Sequence, residues 1–196
     1  MNNEGLIYFK DGIVVAEHGE ARVYKMNNEL FLEIGNGHTL WALESELTDY
    51  IEQLQDFPRG DCLEIGLGLG VASRYILTFP RVKHLTTVEL NADVIEVHNK
   101  IKDSDRNLGL VYNRKLHRII HSGGLEYAYS TNKKYDFIFI DCYDRIDEDT
   151  LPIIADMVNA CSSVLRKGGL IMGWLDKHTP ESMYMSFKEI FEFYRR

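Results

Sequence analysis

The chain has 196 residues, 45% of them hydrophobic and 27% charged, which is enough for one domain with a proper core and at most a small appendage. A formal net charge of -8, with Lys133-Lys134 and Arg195-Arg196 the richest basic runs, argues against a nucleic-acid partner, because phosphate binding needs clustered Lys and Arg. The acidic balance suits a cationic substrate drawn in from a distance, and it suits solubility equally well.

No apolar run approaches the roughly 20 residues that cross a bilayer. Met1-Asn2-Asn3-Glu4 lacks the basic and apolar parts of a signal peptide. A cytoplasmic protein without membrane partners is expected. Cys62, Cys142 and Cys161 are odd in number, widely spaced and set in apolar or strand-like contexts, so they are expected as reduced, packed thiols and not as disulfides or metal ligands.

Residues 1–43 have the grammar of a β-meander. Leu6 to Lys10 and Ile13 to Glu17 flank Asp11-Gly12, a tight-hairpin signal. Arg22 to Met26 and Leu30 to Ile34 flank Asn27-Asn28-Glu29, and Gly35-Asn36-Gly37 leads into His38 to Trp41. So small a sheet is not stable alone and should pack on the rest of the chain or on another copy; His38 and Trp41 are read as packing residues. From Glu44 the period changes to a helical stripe of Leu43, Leu47, Ile51 and Leu54, with Tyr50 between them, and this connecting segment (residues 44–60) ends at Pro58-Arg59-Gly60.

Residues 61–196 alternate strand and helix, the pattern of a doubly wound, mostly parallel Rossmann-like α/β sheet. Strands are expected near 62–66, 85–89, 117–121, 135–140 and 169–174, with helices near 70–79, 91–102, 123–130 and 151–166. Thr150 and Pro152 suit the start of the last of these helices, and Gly168-Gly169 its end. A final helix begins after Thr179-Pro180-Glu181. The last strand would form an apolar sheet edge that invites coverage by the final helix, the meander or a second subunit, so a homo-oligomer is expected.

In such sheets ligands bind beyond the carboxyl ends of the strands. Here the first strand runs into Gly66-Leu67-Gly68-Leu69-Gly70 and then a helix start, where bare backbone can approach a ligand. The second ends in Glu89, at the spacing where an acid meets ribose hydroxyls. The third ends in His121-Ser122-Gly123-Gly124, and the fourth in Asp141-Cys142-Tyr143-Asp144. A glycine turn also serves as a plain tight connection, Glu89 as a solvated strand end and Asp141 as a helix cap. Their convergence on one sheet edge points to a nucleotide pocket. Glu64, a carboxylate inside a buried strand, needs either backbone donors in the turn or a cationic ligand such as an amino or sulfonium group.

With those motifs in place, residues 60–195 resemble the class I S-adenosylmethionine-dependent methyltransferases. Leu63-Glu64-Ile65-Gly66-Leu67-Gly68-Leu69-Gly70 is similar to their first motif and Val88-Glu89-Leu90 to their second. The resemblance implies that Glu89 holds ribose hydroxyls, that Gly66, Gly68 and Gly70 pass beside the amino-acid part of the cofactor, and that Gly123 and Gly124 lie near adenine. It also implies two further strands after the last major helix, which are not expected within this sequence. Within the superfamily the chain is similar to the spermidine synthases, through the meander, Thr48-Asp49-Tyr50-Ile51-Glu52 and the run from Tyr135 to Asp144. That likeness implies Asp141 as the group that deprotonates an attacking amine, Asp144 as a holder of the polyamine, and S-adenosylmethionine or its decarboxylated form as donor. Tyr50 and Tyr143 are the candidate substrate residues, with Tyr127, Tyr129 and Trp174 as further aromatic candidates.

Three positions depart from that family. Leu69 stands where its glycine motif has an aspartate, Ile51 where its helix has a histidine, and Gly123 where an adenine-side aspartate is expected. The lost carboxylates turn the expected reaction toward methyl transfer to a small-molecule acceptor. Aminopropyl transfer to an amine is the alternative, and a binding-only protein the alternative of another class. Phe137 to Asp141 is also similar to the metal-dependent O-methyltransferases. Their further Asp and Asn ligands would fall at Met172-Gly173-Trp174, so no metal is expected.

Overall fold

The computed structural model describes residues 12–35, 39–102, 110, 113–175 and 179–192. The expected strand at 6–10 and His38 lie outside them. The N-terminal unit is an antiparallel sheet of β1 (Ile13–His18), β2 (Ala21–Met26), β3 (Glu29–Ile34) and β4 (Thr39–Leu43), in chain order. Asn27 and Asn28 adopt left-handed backbone with φ of 49° and 68°, which closes β2 onto β3 in a two-residue turn with Met26 opposite Glu29.

This sheet does not stand alone. Its inward residues Ala21, Val23, Leu30 and Leu32 join one core with the helices of the larger unit. Asp93 holds it there, accepting hydrogen bonds from the Glu20 backbone amide and His18 Nδ1, each at 2.9 Å.

A 3-10 turn at Glu44–Glu46 leads into α1 (Leu47–Leu54). Tyr50 and Leu54, one helical turn apart, form its buried face, whereas Ile51, expected in the stripe, is 45% exposed because it sits about 100° further round the helix. Gln53 clamps α1 to the far side of the molecule: its side-chain amide donates to the Leu175 carbonyl and accepts from the Leu175 amide, both at 2.8 Å.

The larger unit comprises β5 (Gly60–Ile65), α2 (Val71–Ile76), β6 (Val82–Glu89), α3 (Ala92–Ile101), β7 (His117–His121), α4 (Gly124–Ser130), β8 (Tyr135–Ile140), α5 (Thr150–Ser162), β9 (Leu165–Gly173) and α6 (Glu181–Glu192). Its five strands lie in the order β7-β6-β5-β8-β9 and every pairing is parallel. The order reverses between β5 and β8. Leu63, Phe137, Phe139, Ile138 and Ile140 are fully buried in the central strands, each burial stabilising by roughly 1.5–3 kcal/mol.

The C-terminal half differs from the sequence expectation at one junction. α5 stops at Ser162, where Ser163 and Val164 donate to carbonyls three residues back, and β9 starts at Leu165 opposite Tyr135. Gly168-Gly169 therefore does not end the helix but forms an irregularity inside β9, with Gly168 at φ 78°. α2 is also shorter than expected, its tail closing in 3-10-type bonds from Thr78 to Tyr75 and Phe79 to Ile76. The edge strand β9 is met by α6: a Cβ at Gly173 would lie 2.4 Å from Phe191 Cζ and 2.9 Å from Phe187 Cζ. No described helix is long and apolar enough to cross a membrane. Cys62 and Cys161 are buried free thiols, but Cys142, expected to be packed, is exposed on the loop after β8.

Candidate active site

The carboxyl ends of β5, β6 and β8 open on a cavity of about 490 Å3 that the meander roofs with Leu32, Ile34 and Ala42. That size suits one small organic ligand. The glycine turn forms its floor. Gly66 has φ 100°, and a Cβ there would lie 1.9 Å from the Asp141 carbonyl oxygen, so only glycine lets the chain leave β5 beside β8. Gly68, at φ 48°, passes under Ala42 and also borders the cavity. Gly70 does not. Its φ of 71° begins α2 and its bare Cα meets the His98 ring, where a Cβ would lie 2.3 Å from Cε1. Expected beside the cofactor, it serves helix packing instead.

Glu89 ends β6 on the cavity wall. Its Oε2 accepts the Leu67 amide at 2.9 Å and its Oε1 the Asn91 amide at 2.8 Å, so the carboxylate fixes the glycine turn while facing the cavity. Gly124 borders the cavity too and is packed so closely that a Cβ would strike Ile65 Cγ2 at 2.6 Å and Met157 Cε at 2.8 Å; its neighbour Gly123 lies outside the lining.

Glu64 is placed differently from its expected role beside the cofactor. Strand alternation points it away from the face that Leu63 and Ile65 share, and it is 1% exposed. The Ser73 hydroxyl from α2 and the Thr87 hydroxyl from β6, the latter at 2.5 Å, both donate to its Oε2. Thr87 Oγ1 also lies 2.8 Å from His117 Nε2, and since its own hydrogen goes to Glu64 it accepts there. Burial raises Glu64 to about 8 against the opposing hydroxyl bonds, and burial lowers His117 to about 4. The result is a buried polar chain joining α2, β5, β6 and β7 beneath the glycine turn.

The acidic end of the cavity is built from both units. Tyr50 on α1, its ring edge-on to Phe139 with centroids 6.0 Å apart, donates a 2.7 Å hydrogen bond to Asp141 Oδ2 at the end of β8. The same hydroxyl lies 3.3 Å from Glu46 Oε2. Burial raises Asp141 to about 6, with the Tyr50 bond acting against it. Burial first, then the Asp141 charge, raises Glu46 to about 8.

Asp144 borders the cavity and pairs with the adjacent Arg145 at 3.4 Å. Tyr143 lends the cavity its ring. Its hydroxyl donates to the Trp174 carbonyl at 2.6 Å and ties the loop after β8 to the end of β9.

Glu46, Glu89, Asp141 and Asp144 line the cavity, and no Lys, Arg or His is among its described lining residues. Glu46 was missed at the level of sequence, although its spacing of four from Tyr50 on a helical turn was a signal for it. The roof residues Leu32, Ile34 and Ala42 carried no signal beyond their alternation. Among the described residues no group of three or more His, Cys, Asp or Glu side chains could hold a metal ion.

Residues 53–191 match the family model of the spermine/spermidine synthase domain. The chain is 27% identical over 126 residues to a polyamine aminopropyltransferase of Prochlorococcus marinus, covering 63% of this chain and 43% of that protein. It is 28% identical over 134 residues to one of Bacillus cereus, covering 67% and 48%. The chain thus spans about half the length of the curated relatives it matches.

Its fold superposes on the spermidine synthase of Thermotoga maritima with a TM-score of 0.62 at 18% identity, over 94% of this chain and 62% of that one. On a spermidine synthase complexed with the transition-state analogue AdoDATO the TM-score is 0.65 at 16% identity, over 93% and 63%. With glycine turn, acidic strand ends and family match in agreement, the chain belongs to the spermine/spermidine synthase domain family.

Proposed function

We propose that this chain is an enzyme that transfers an aminopropyl group from decarboxylated S-adenosylmethionine to a small amine, in a cytoplasmic setting. The observation that carries this reading is the cavity wall of four carboxylates without a Lys, Arg or His among its described lining residues. At about 4 Å and an effective dielectric near 20, one carboxylate attracts an ammonium by about 4 kcal/mol before desolvation, and repels another carboxylate by the same amount. A donor that has lost its carboxylate suits that wall; S-adenosylmethionine itself would bring a further carboxylate into it. This supports aminopropyl transfer over the methyl transfer expected from Leu69, Ile51 and Gly123, and the aminopropyltransferase relatives favour the same order.

In this reading Glu89 receives the ribose hydroxyls, Gly66 and Gly68 let the backbone approach the donor, and Gly124 leaves room on the adenine side. The donor supplies an electrophilic carbon next to a sulfonium. An ammonium ion has no lone pair, so Asp141 takes a proton from the acceptor nitrogen. The freed lone pair forms the new C–N bond as the C–S bond breaks and its electrons return to sulfur, which leaves as the neutral thioether of methylthioadenosine. A base held at about 6 is ionised at neutral pH yet strong enough to share that proton, and Tyr50 keeps its Oδ2 in position. Asp144 at the cavity rim attracts the cationic acceptor.

The test is incubation of the protein with decarboxylated S-adenosylmethionine and a panel of amines, with mass spectrometry for methylthioadenosine and aminopropylated amine. Methylated product from S-adenosylmethionine, with none from the decarboxylated donor, would restore the methyltransferase reading. Nucleoside binding without any product would identify a binding-only protein.

A further inference from the structure

We propose that the acceptor carries a single ammonium on an apolar, aryl-sized body, and that Trp174 together with Tyr143 selects it by covering that body; this acceptor class rests on the aminopropyl-transfer reading above. One observation concerns the shape of the cavity wall and the other its charge.

Tyr143 and Trp174 both border the cavity, with ring centroids 6.4 Å apart and planes tilted by 46°. The backbone holds both in place. The Trp174 amide donates to the Ile140 carbonyl at 2.9 Å, and the Trp174 carbonyl accepts the Tyr143 hydroxyl at 2.6 Å. Phe187 stands edge-on to the Tyr143 ring, with centroids 6.4 Å apart. Trp174 packs against the core cluster that contains the roof residues Leu32 and Ala42, and Tyr143 against the other cluster. Neither ring offers a ligand its polar hydrogen. The Tyr143 hydroxyl is spent on a carbonyl, and Trp174 Nε1 is buried out of a ligand's reach, with no hydrogen-bond partner among the described residues. A wall of this kind favours an apolar group, and an aromatic one most, because ring pairs attract beyond the area they bury.

Four carboxylates border the cavity, yet one alone is left to hold an acceptor ammonium. Glu89 accepts the Leu67 and Asn91 amides and belongs to the donor side in the reading above. Glu46 accepts from the Tyr50 hydroxyl and the Leu43 backbone, and burial, with the Asp141 charge, raises it to about 8. Near neutral pH it therefore carries a proton and no charge. A second ammonium would first have to expel that proton, at a penalty of about tenfold at pH 7. Asp144 is shared with Arg145, which also reaches Asp147 at 3.5 Å, so at the exposed rim it steers a cation without holding it. Asp141, at about 6, is ionised at neutral pH and holds one ammonium. A further ammonium against the two rings would stay unpaired, which is costly.

The experiment compares phenethylamine, butylamine and putrescine: an aryl monoamine, an alkyl monoamine and a diamine. Affinities are measured by calorimetry in the presence of methylthioadenosine, and KM and kcat in turnover with the decarboxylated donor. Wild type should bind phenethylamine at least about tenfold more tightly than butylamine, from the added apolar area buried, and putrescine no more tightly than butylamine. Trp174→Leu should weaken phenethylamine about tenfold through KM while changing butylamine by less than about threefold. Trp174→Phe, which keeps a ring, should fall between the two.

Tighter binding of putrescine than of either monoamine, no preference for phenethylamine over butylamine, or equal weakening of all three amines in Trp174→Leu would overturn the assignment. Product formed from putrescine in preference to the monoamines would overturn it as well and leave the reaction standing. A wild type that turns over no amine removes the proposed reaction, and the calorimetric order of the three amines still decides the acceptor class. Thermal unfolding and methylthioadenosine affinity at wild-type values in both variants confirm that the readout concerns the acceptor.

Discussion

The Tyr50 hydroxyl donates a 2.7 Å hydrogen bond to Asp141 across the boundary between the two units, tying the connecting helix to the carboxyl end of β8. The base of the proposed reaction is therefore oriented by a residue 91 positions away in the chain, and both its geometry and its acidity depend on that contact.

Asp141→Asn should lower turnover by about a hundredfold to ten-thousandfold, the usual contribution of a positioned general base. The affinity for methylthioadenosine should stay within about threefold, because Glu89 and the glycine turn are untouched. Steady-state kinetics beside calorimetry separates the two. Parallel loss of both would reduce Asp141 to a structural role.

Tyr50→Phe removes a hydrogen bond that favours the ionised form of Asp141, so the Asp141 pKa should climb above its present value of about 6. Since the base must be ionised, kcat/KM rises with pH through that pKa, and the rising limb of the profile should move to higher pH in the variant. A limb that stays in place would show that another group controls it.

Glu64 provides a prediction for stability. Its folded-state pKa of about 8 lies above the ordinary carboxylate value, so the native state binds the extra proton. The direction is then opposite to that of a salt-bridged acid: stability is greatest below the unfolded pKa and declines as pH rises toward about 8, at up to about 1.4 kcal/mol per pH unit. Glu64→Gln, which keeps partners for Ser73 and Thr87, should flatten that decline. Urea unfolding at about pH 5 and about pH 8 reads it, and identical slopes in wild type and variant would disprove it.

Two glycines with the same backbone handedness should respond differently to alanine. Gly35, at φ 89°, has nothing within 4 Å of a would-be Cβ, so Gly35→Ala should cost about 1–2 kcal/mol of backbone strain alone. Gly66→Ala adds a collision at 1.9 Å with the Asp141 carbonyl, so it should cost more than about 3 kcal/mol and abolish nucleoside binding. Denaturant midpoints for the two variants give the comparison.

The parallel sheet was legible in the sequence because its cues are local: an apolar run of five or six residues, a glycine or capping signal, and then a helical period. β7 and β8 appear at their expected positions for this reason, and so does the start of α5 at Thr150. The junction between α5 and β9 was misread because Gly168-Gly169 has the composition of a helix end. What decides it is a distant partner, Tyr135, which pairs with Leu165 and draws the strand forward.

Local sequence was sufficient for the superfamily-level pocket. Alternating glycines after a buried strand, with Glu89 and Asp141 at two further strand ends, converge wherever parallel strands lie side by side, because carboxyl ends of parallel strands share one edge. Which residues of those motifs meet the cavity is set by tertiary packing alone. Gly70 and Glu64 sit in the most recognisable stretch yet face His98 and the Ser73 and Thr87 hydroxyls, since a turn and a pleat send neighbouring residues in opposite directions. Glu46 sits in an unremarked turn yet borders the cavity. Its spacing of four from Tyr50 puts it on the same side of the helical turn, but only the docking of the antiparallel sheet over the parallel one brings that side to the cavity.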